Sequence, residues 1–338
     1  MHRWLQRLLP ALLCAPAIAL ANTPSYGPNL EGFEYPHEVR SFAFVSQGKQ
    51  VQMAYMDVRP TGTPNGRTMV VMHGKNFCGA SWEGSIAALT EAGYRVVVPD
   101  QIGFCKSTKP DGYQYSFHQL AANTAALLDF LGVRDHMVMG HSMGGMLATR
   151  YALMYPERVD RLVLVNPIGL EDWLAKGVPY ITVNEWYRNQ LKTTREGIKN
   201  YQLTTYYNGE WRPEFDRWVD MSAGMFNGPG KETVAWHSAL TFDMILTQPV
   251  FHEFHRLEVP TVLIIGEHDN TAIGKHLLPQ EQRHRVGDYR AMARDVADRI
   301  SDVTLHLYPD LAHSPQIQDP ARFHADLLKL LNPNWMDR

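Results

Sequence analysis

The sequence predicts an α/β protein: a mostly parallel central sheet with helices on both faces, and a helical cap inserted after the sixth strand. Three observations predict it. Short apolar runs alternate with helical stretches from residue 68 onward, the pattern of strand–helix–strand units. The runs at 161–166 and 261–265 lie about 95 residues apart, and one crossover helix needs far fewer. Gly140-His141-Ser142-Met143-Gly144-Gly145 joins an apolar run, Met137-Val138-Met139, to a helical-looking run at 146–155.

Each element follows from local pattern. Residues 39–45 and 50–58 alternate apolar and polar around Gln47-Gly48-Lys49, which predicts an opening β-hairpin. The later strands are expected at 68–72, 95–99, 136–140, 161–166, 261–265 and 303–308. Helices are expected at 81–92, 116–131, 144–155 and 320–331. A core domain is thus assigned to 22–167 and 251–338, and a cap to 168–250, with 251–257 returning the chain to the sheet. A second insertion, 271–299, is either a flap or an ordinary excursion plus a helix. Residues 173–254 hold 15 aromatics, among them Trp186, Tyr187, Tyr206, Tyr207, Trp211, Trp218 and Trp236. That density fits an apolar roof over a site, or the cap's own core.

The turn at 140–145 carries the chemistry. Gly-x-Ser-x-Gly between a strand and a helix is a nucleophile elbow, where the turn is tight and the flanking residues must be small. A serine is a weak nucleophile until a base takes its proton, and a third group must hold that base in one tautomer. Both partners are expected downstream at later strand ends. Gly266-Glu267-His268-Asp269 follows the run 261–265, and Pro309-Asp310-Leu311-Ala312-His313-Ser314 follows the run 303–308. Ser142, Asp269 and His313 should therefore share one edge of the sheet, beyond the carboxyl ends of its strands.

These residues resemble the α/β-hydrolase superfamily over 39–331. The likeness includes His73-Gly74, Asp100-Gln101-Ile102-Gly103-Phe104, the 140–145 turn, Gly266-x-x-Asp269 and His313-Ser314-Pro315-Gln316. The resemblance implies that Ser142 is the nucleophile, His313 the general base and then acid, and Asp269 the orienting carboxylate. It implies an oxyanion hole from the Met143 N–H and the Lys75 N–H, with Asn76 as the alternative to Lys75. Asn76, His141, Tyr206, Tyr207 and Trp236 are the expected substrate-binding residues. Competitors for the acid are Glu267, and Glu171 or Asp172 beyond Asn166-Pro167, where some relatives carry it. His268 and His306 are neighbouring imidazoles, and His73 flanks the site.

The implied activity is hydrolysis of a small carboxylic ester or lactone through an acyl-enzyme, with no cofactor and a small-molecule substrate as the partner. Ser142 argues against epoxide hydrolases and haloalkane dehalogenases, which carry Asp there. Three alternatives stay open. A proline-iminopeptidase-like enzyme needs an acidic cap pocket, for which Glu185, Glu210, Glu214 and Asp216 are candidates. A carbon–carbon hydrolase and a non-catalytic binding protein are the other two.

Composition narrows the setting. The 338 residues carry a formal charge of −3, which gives no basic patch for nucleic acid. No Gly-x-x-x-x-Gly-Lys phosphate loop occurs, and no metal-ligand spacing stands out: His252-Glu-Phe-His255 is one residue short of a zinc helix. The N-terminus reads as a secretory signal. Arg3 and Arg7 precede an apolar stretch at 8–20, and Ala19-Leu20-Ala21 fits cleavage after Ala21. That stretch is short for a membrane span, and Leu13 before Cys14 does not fit a lipoprotein signal. A periplasmic or secreted protein without stable membrane insertion is expected. Removal of 1–21 leaves Cys78 and Cys105, and an even number in an oxidising compartment suggests a bridge at the floor or wall of the site. Two free thiols are the alternative.

Overall fold

In the computed structural model residues 23–332 are described, and the expected signal segment 1–21 lies outside them. β1 (Arg40–Ser46) and β2 (Lys49–Val58) form the expected hairpin. Gln47 and Gly48 connect them with φ of 52° and 72°, the paired positive values of a turn whose twist matches its strands. β3 (Thr68–Met72), β4 (Arg95–Pro99), β5 (His136–His141), β6 (Val159–Val165), β7 (Thr261–Gly266) and β8 (Val303–Tyr308) complete an eight-stranded sheet, ordered β1-β2-β4-β3-β5-β6-β7-β8. β1, β2 and β4 pair antiparallel, and every pairing from β4 to β8 is parallel.

The parallel strands read as continuous apolar runs because both faces are covered. Alternate residues feed two cores. Val70, Met72, Val97, Val138, Leu162, Leu164, Leu263 and Ile265 face one, with α2 (Phe117–Phe130) and α3 (Met143–Met154). Met69, Val71, Val96, Val98, Met139, Val163, Val262 and Ile264 face the other, which also takes Ile86 and Leu89 of α1 (Glu83–Glu91). The strand order reverses between β3 and β5. A crevice opens at such a switch point beyond the strands' carboxyl ends, and the loops after β3 and β5 are those of Lys75 and Ser142.

Four helices lie between β6 and β7: α4 (Val183–Gln190), α5 (Arg195–Thr205), α6 (Asp216–Phe226) and α7 (Lys231–Thr247). α4 starts with a full capping box, Thr182 and Glu185 each satisfying the other's backbone N–H. A 3-10 turn, Phe251–Arg256, returns the chain to the sheet. The second insertion is an excursion ending in α8 (Tyr289–Ala297), whose Tyr289, Met292, Ala293 and Val296 form a buried stripe at helical spacing. α9 (Pro315–Gln318) follows the His313 loop, and α10 (Pro320–Leu331) sends Phe323, Leu327, Leu330 and Leu331 into the second core. Among the described residues no helix is long and apolar enough to cross a membrane.

Candidate active site

Ser142 follows β5 and caps the start of α3 with φ 58° and ψ −123°, a strained conformation for a residue with a Cβ. The glycines around it are required by close approach. A Cβ on Gly140 would stand 2.1 Å from the Gly144 carbonyl oxygen, and one on Gly144 would stand 2.2 Å from that of Met72. Met143 is the first residue of α3, so its N–H has no acceptor within the helix and is available to a ligand.

The loop after β3 lies against this turn, since a Cβ on Gly74 would come within 2.9 Å of the Ser142 Cβ. The Phe77 N–H donates to the Gly74 carbonyl (3.3 Å), which makes Lys75 and Asn76 the central residues of a turn. His73 fixes the loop's base: Nδ1–H donates to the Gly74 carbonyl (2.8 Å) and Nε2 accepts from the Gln101 N–H (3.0 Å). Burial holds its pKa below the usual histidine value. Cys78 and Cys105 are joined, with Cα atoms 5.8 Å apart, tying this loop to the one after β4. Asp100 adds a second tie by accepting from the Gly79 N–H (2.8 Å).

His313 Nδ1–H donates to Asp269 Oδ2 (2.7 Å), and both side chains are fully enclosed. His313 Nε2 is buried and has no hydrogen-bond partner among the described residues. Asp269 is itself held from two sides, by the Thr271 N–H on Oδ1 (2.8 Å) and Asn166 Nδ2 on Oδ2 (2.9 Å). Asn166 stands at the end of β6, the position noted in the sequence for the missing alternative acid. It does not replace Asp269 but orients it. Its Oδ1 also accepts from the Gly266 N–H (2.9 Å), and φ 37° places it in a left-handed conformation that asparagine tolerates. No local pattern in the sequence points to this role.

The competing groups are engaged elsewhere. Glu267 pairs with Arg290 (3.4 Å), and Asp172 accepts from His252 (2.8 Å). Glu171 accepts from Trp173 Nε1 (3.0 Å), Lys176 Nζ (2.6 Å) and the Gly287 N–H (2.7 Å), which ties the two insertions together. His268 is exposed, and His306 lies on the edge strand β8 beside Asp326 (3.5 Å).

Of the expected substrate-binding residues, Asn76 and Tyr206 meet at the site. Asn76 Nδ2 donates to the Tyr206 hydroxyl (2.8 Å), and the Tyr206 ring lies 4.6 Å from the His313 ring. The other three are engaged as follows. His141 is enclosed, and its Nε2–H is committed to the His313 carbonyl (2.7 Å), so it supports the base's backbone. Burial, reinforced by His313, keeps it neutral, with its pKa well below the usual value. Tyr207 is fully buried and stacked 3.9 Å on Phe215, inside the inserted helices' own core. Trp236 packs edge-on against Tyr187 (5.5 Å), joining α7 to α4. The acidic candidates for an amine pocket also fail to converge. Glu185 caps α4, Glu210 is exposed, Glu214 pairs with Arg212, and Asp216 pairs with Arg195 and Lys199. Among the described residues no group of three or more His, Cys, Asp or Glu is placed to hold a metal ion.

Comparison with known proteins agrees with this fold. Residues 67–320 match the family described as alpha/beta hydrolase fold. The chain belongs to that family. A solved structure of a probable hydrolytic enzyme from Pseudomonas aeruginosa is similar to this α/β-hydrolase at 61% identity and a TM-score of 0.91, covering 92% of this chain and 99% of that one. The 2-hydroxy-6-oxo-2,4-heptadienoate hydrolase of Pseudomonas putida is 31% identical over 76% of this chain and 86% of that protein. The cis-3-alkyl-4-alkyloxetan-2-one decarboxylase of Shewanella oneidensis is 29% identical over 46% of this chain and 53% of its own length. The family is the alpha/beta hydrolase fold, and two of these three relatives are hydrolytic by name.

Proposed function

We propose that the enzyme is a serine hydrolase that cleaves a small carboxylic ester or lactone through an acyl-enzyme. Ser142 Oγ attacks the carbonyl carbon, and His313 Nε2 takes its proton. Asp269 keeps the imidazole proton on Nδ1 and offsets the charge of the imidazolium. The Met143 and Lys75 N–H groups stabilise the developing oxyanion by a few kcal/mol. The leaving alcohol receives the proton from His313. Water, deprotonated in turn by His313, then cleaves the acyl group from Ser142 and restores the enzyme. Asn76 and Tyr206 contact the substrate, and the inserted helices, 168–250, act as the cap that encloses it.

The observation that carries the proposal is the His313–Asp269 bond at 2.7 Å, with the opposite imidazole nitrogen buried and without a partner among the described residues, together with the strained backbone of Ser142. The lactone option draws support from the Shewanella oneidensis relative, named for an oxetan-2-one, which is a cyclic ester. A second reading, hydrolysis of a carbon–carbon bond, is favoured by the likeness to the Pseudomonas putida hydrolase. The expected export to the periplasm or exterior, with cleavage after Ala21, is kept as part of the proposal, and the Cys78–Cys105 bond fits an oxidising compartment. Labelling with a fluorophosphonate, followed by peptide mapping, tests the activated serine. Adduct on Ser142, lost in Asp269→Asn, is expected; an unlabelled Ser142 contradicts it.

A further inference from the structure

Among the described residues the Lys75 side chain has no carboxylate partner. It leaves the loop after β3 and crosses to the inserted helices, where Nζ donates to Ser238 Oγ on α7 (2.7 Å). The ammonium also lies 3.8 Å from the centre of the Phe242 ring, which is stacked on Trp186. These contacts are a hydroxyl and an aromatic face, and neither is a carboxylate. Burial alone pushes its pKa down to about 7. Taking an ammonium out of water is unfavourable unless a charge or a full set of acceptors compensates. One hydroxyl and one ring leave part of that cost standing, and a neutral side chain would tie the loop to α7 without it.

The surroundings indicate what completes the site. The Ser238 hydroxyl spends its own proton on Gln190 Oε1 (2.8 Å), so it presents only an acceptor to Lys75. With Oε1 accepting there, what Gln190 has left to offer is its amide N–H groups. An ammonium and an amide beside an aromatic wall suit a single carboxylate; a phosphate dianion calls for more charge or an arginine fork. We propose that Lys75 Nζ and Gln190 Nε2 recognise a carboxylate carried by the substrate, at a lysine side chain's distance from the carbonyl held by the Lys75 N–H. The substrate class is then an ester or lactone that bears a second, ionised carboxyl group. This deepens the serine-hydrolase reading and rests on it. It also fits the four acidic candidates of the insertion, which do not converge among the described residues: the site selects an anion, where an aminopeptidase needs to hold an amine.

Two measurements test it. The first compares p-nitrophenyl hydrogen adipate and suberate with their neutral methyl-ester counterparts, in wild type, Lys75→Met and Lys75→Arg. Wild type should favour the anionic member of each pair, and Lys75→Met should lower the anionic-to-neutral ratio of kcat/KM by about 10- to 100-fold, with Lys75→Arg keeping part of it. A purely structural lysine lowers both substrates by the same factor and leaves the ratio alone, which overturns the proposal. The second measures adipate binding calorimetrically to Ser142→Ala and to Ser142→Ala/Lys75→Met. Binding weaker by about tenfold or more in the double variant is expected, and equal binding overturns the proposal. If wild type cleaves none of the esters, the serine-esterase reading fails, and the binding measurement still decides the role of Lys75.

Discussion

Asp269→Asn puts the hydrogen-bond geometry of the site to work against itself. Three donors converge on the Asp269 carboxylate: the Thr271 N–H at 2.8 Å, Asn166 Nδ2 at 2.9 Å and His313 Nδ1 at 2.7 Å. An asparagine there offers one acceptor oxygen and one amide donor. With its oxygen toward His313, its amide meets the Thr271 N–H, donor against donor. With its amide toward His313, Nδ1 must give up its proton, and the imidazole carries that proton on Nε2, where it cannot accept one from Ser142. Asn166 cannot flip to relieve the conflict, because its Oδ1 accepts from the Gly266 N–H (2.9 Å) and its Nδ2 also donates to the Gly266 carbonyl (3.3 Å). Either arrangement leaves a buried donor facing a donor, at about 1–3 kcal/mol, and neither offsets the imidazolium. The expected fall in kcat/KM on an activated ester is about 10⁴-fold, or about 5.5 kcal/mol on the barrier. Circular dichroism and melting should show the fold retained. Near-wild-type turnover in Asp269→Asn, with activity lost in Glu267→Gln, would refute the assignment of the acid.

The other predictions concern what holds the site. Asn166→Ala leaves the Gly266 N–H without its acceptor and Asp269 with one donor fewer, roughly 2–5 kcal/mol of lost stability by urea unfolding; Asn166→Gly should recover about 1 kcal/mol, because φ 37° is unfavourable for alanine. Alanine proving as stable as glycine contradicts this. The paired Cys78→Ala and Cys105→Ala variant frees a loop of sequence separation 27 and should lose about 3–4 kcal/mol; two titratable thiols at these positions in the denatured, unreduced protein would rule the bridge out. His136 and His237 are buried and neutral, each pushed by burial to about 4. The unfolded chain therefore binds more protons between about pH 6.5 and 4, and the stability present above pH 6.5 is lost across that window at about 3 kcal/mol for each histidine. Urea midpoints flat from pH 7 to 4.5, or no flattening of the profile in His136→Gln, would contradict it.

Much of the frame was legible because it rests on local patterns. Apolar runs mark strands covered on both faces, and α10 falls at the expected residues because Pro320 starts it and its apolar stripe has helical spacing. Gly140, Ser142 and Gly144 form a pattern that tight backbone approach imposes, so the elbow was readable residue by residue. What escaped depends on long-range contact. Asn166 reads as an ordinary strand-end residue until β7 delivers Asp269 beside it. Tyr206 and Tyr207 are neighbours of the same type, yet one lies against His313 and the other inside the insert, because successive positions at the end of α5 point in different directions. For the Lys75 side chain the sequence leaves added positive charge at the site and a solvated surface lysine equally open; only α7, more than 150 residues downstream, shows where its ammonium goes.

Turnover of p-nitrophenyl esters graded from acetate to long chains, run beside Ser142→Ala, tests the central claim most directly. Hydrolysis by the wild type that vanishes in Ser142→Ala, with the variant's fold unchanged, is the predicted result, and the chain-length optimum then sizes the space beneath the inserted helices. Hydrolysis that survives in Ser142→Ala, or no hydrolysis of any ester by the wild type, would contradict it.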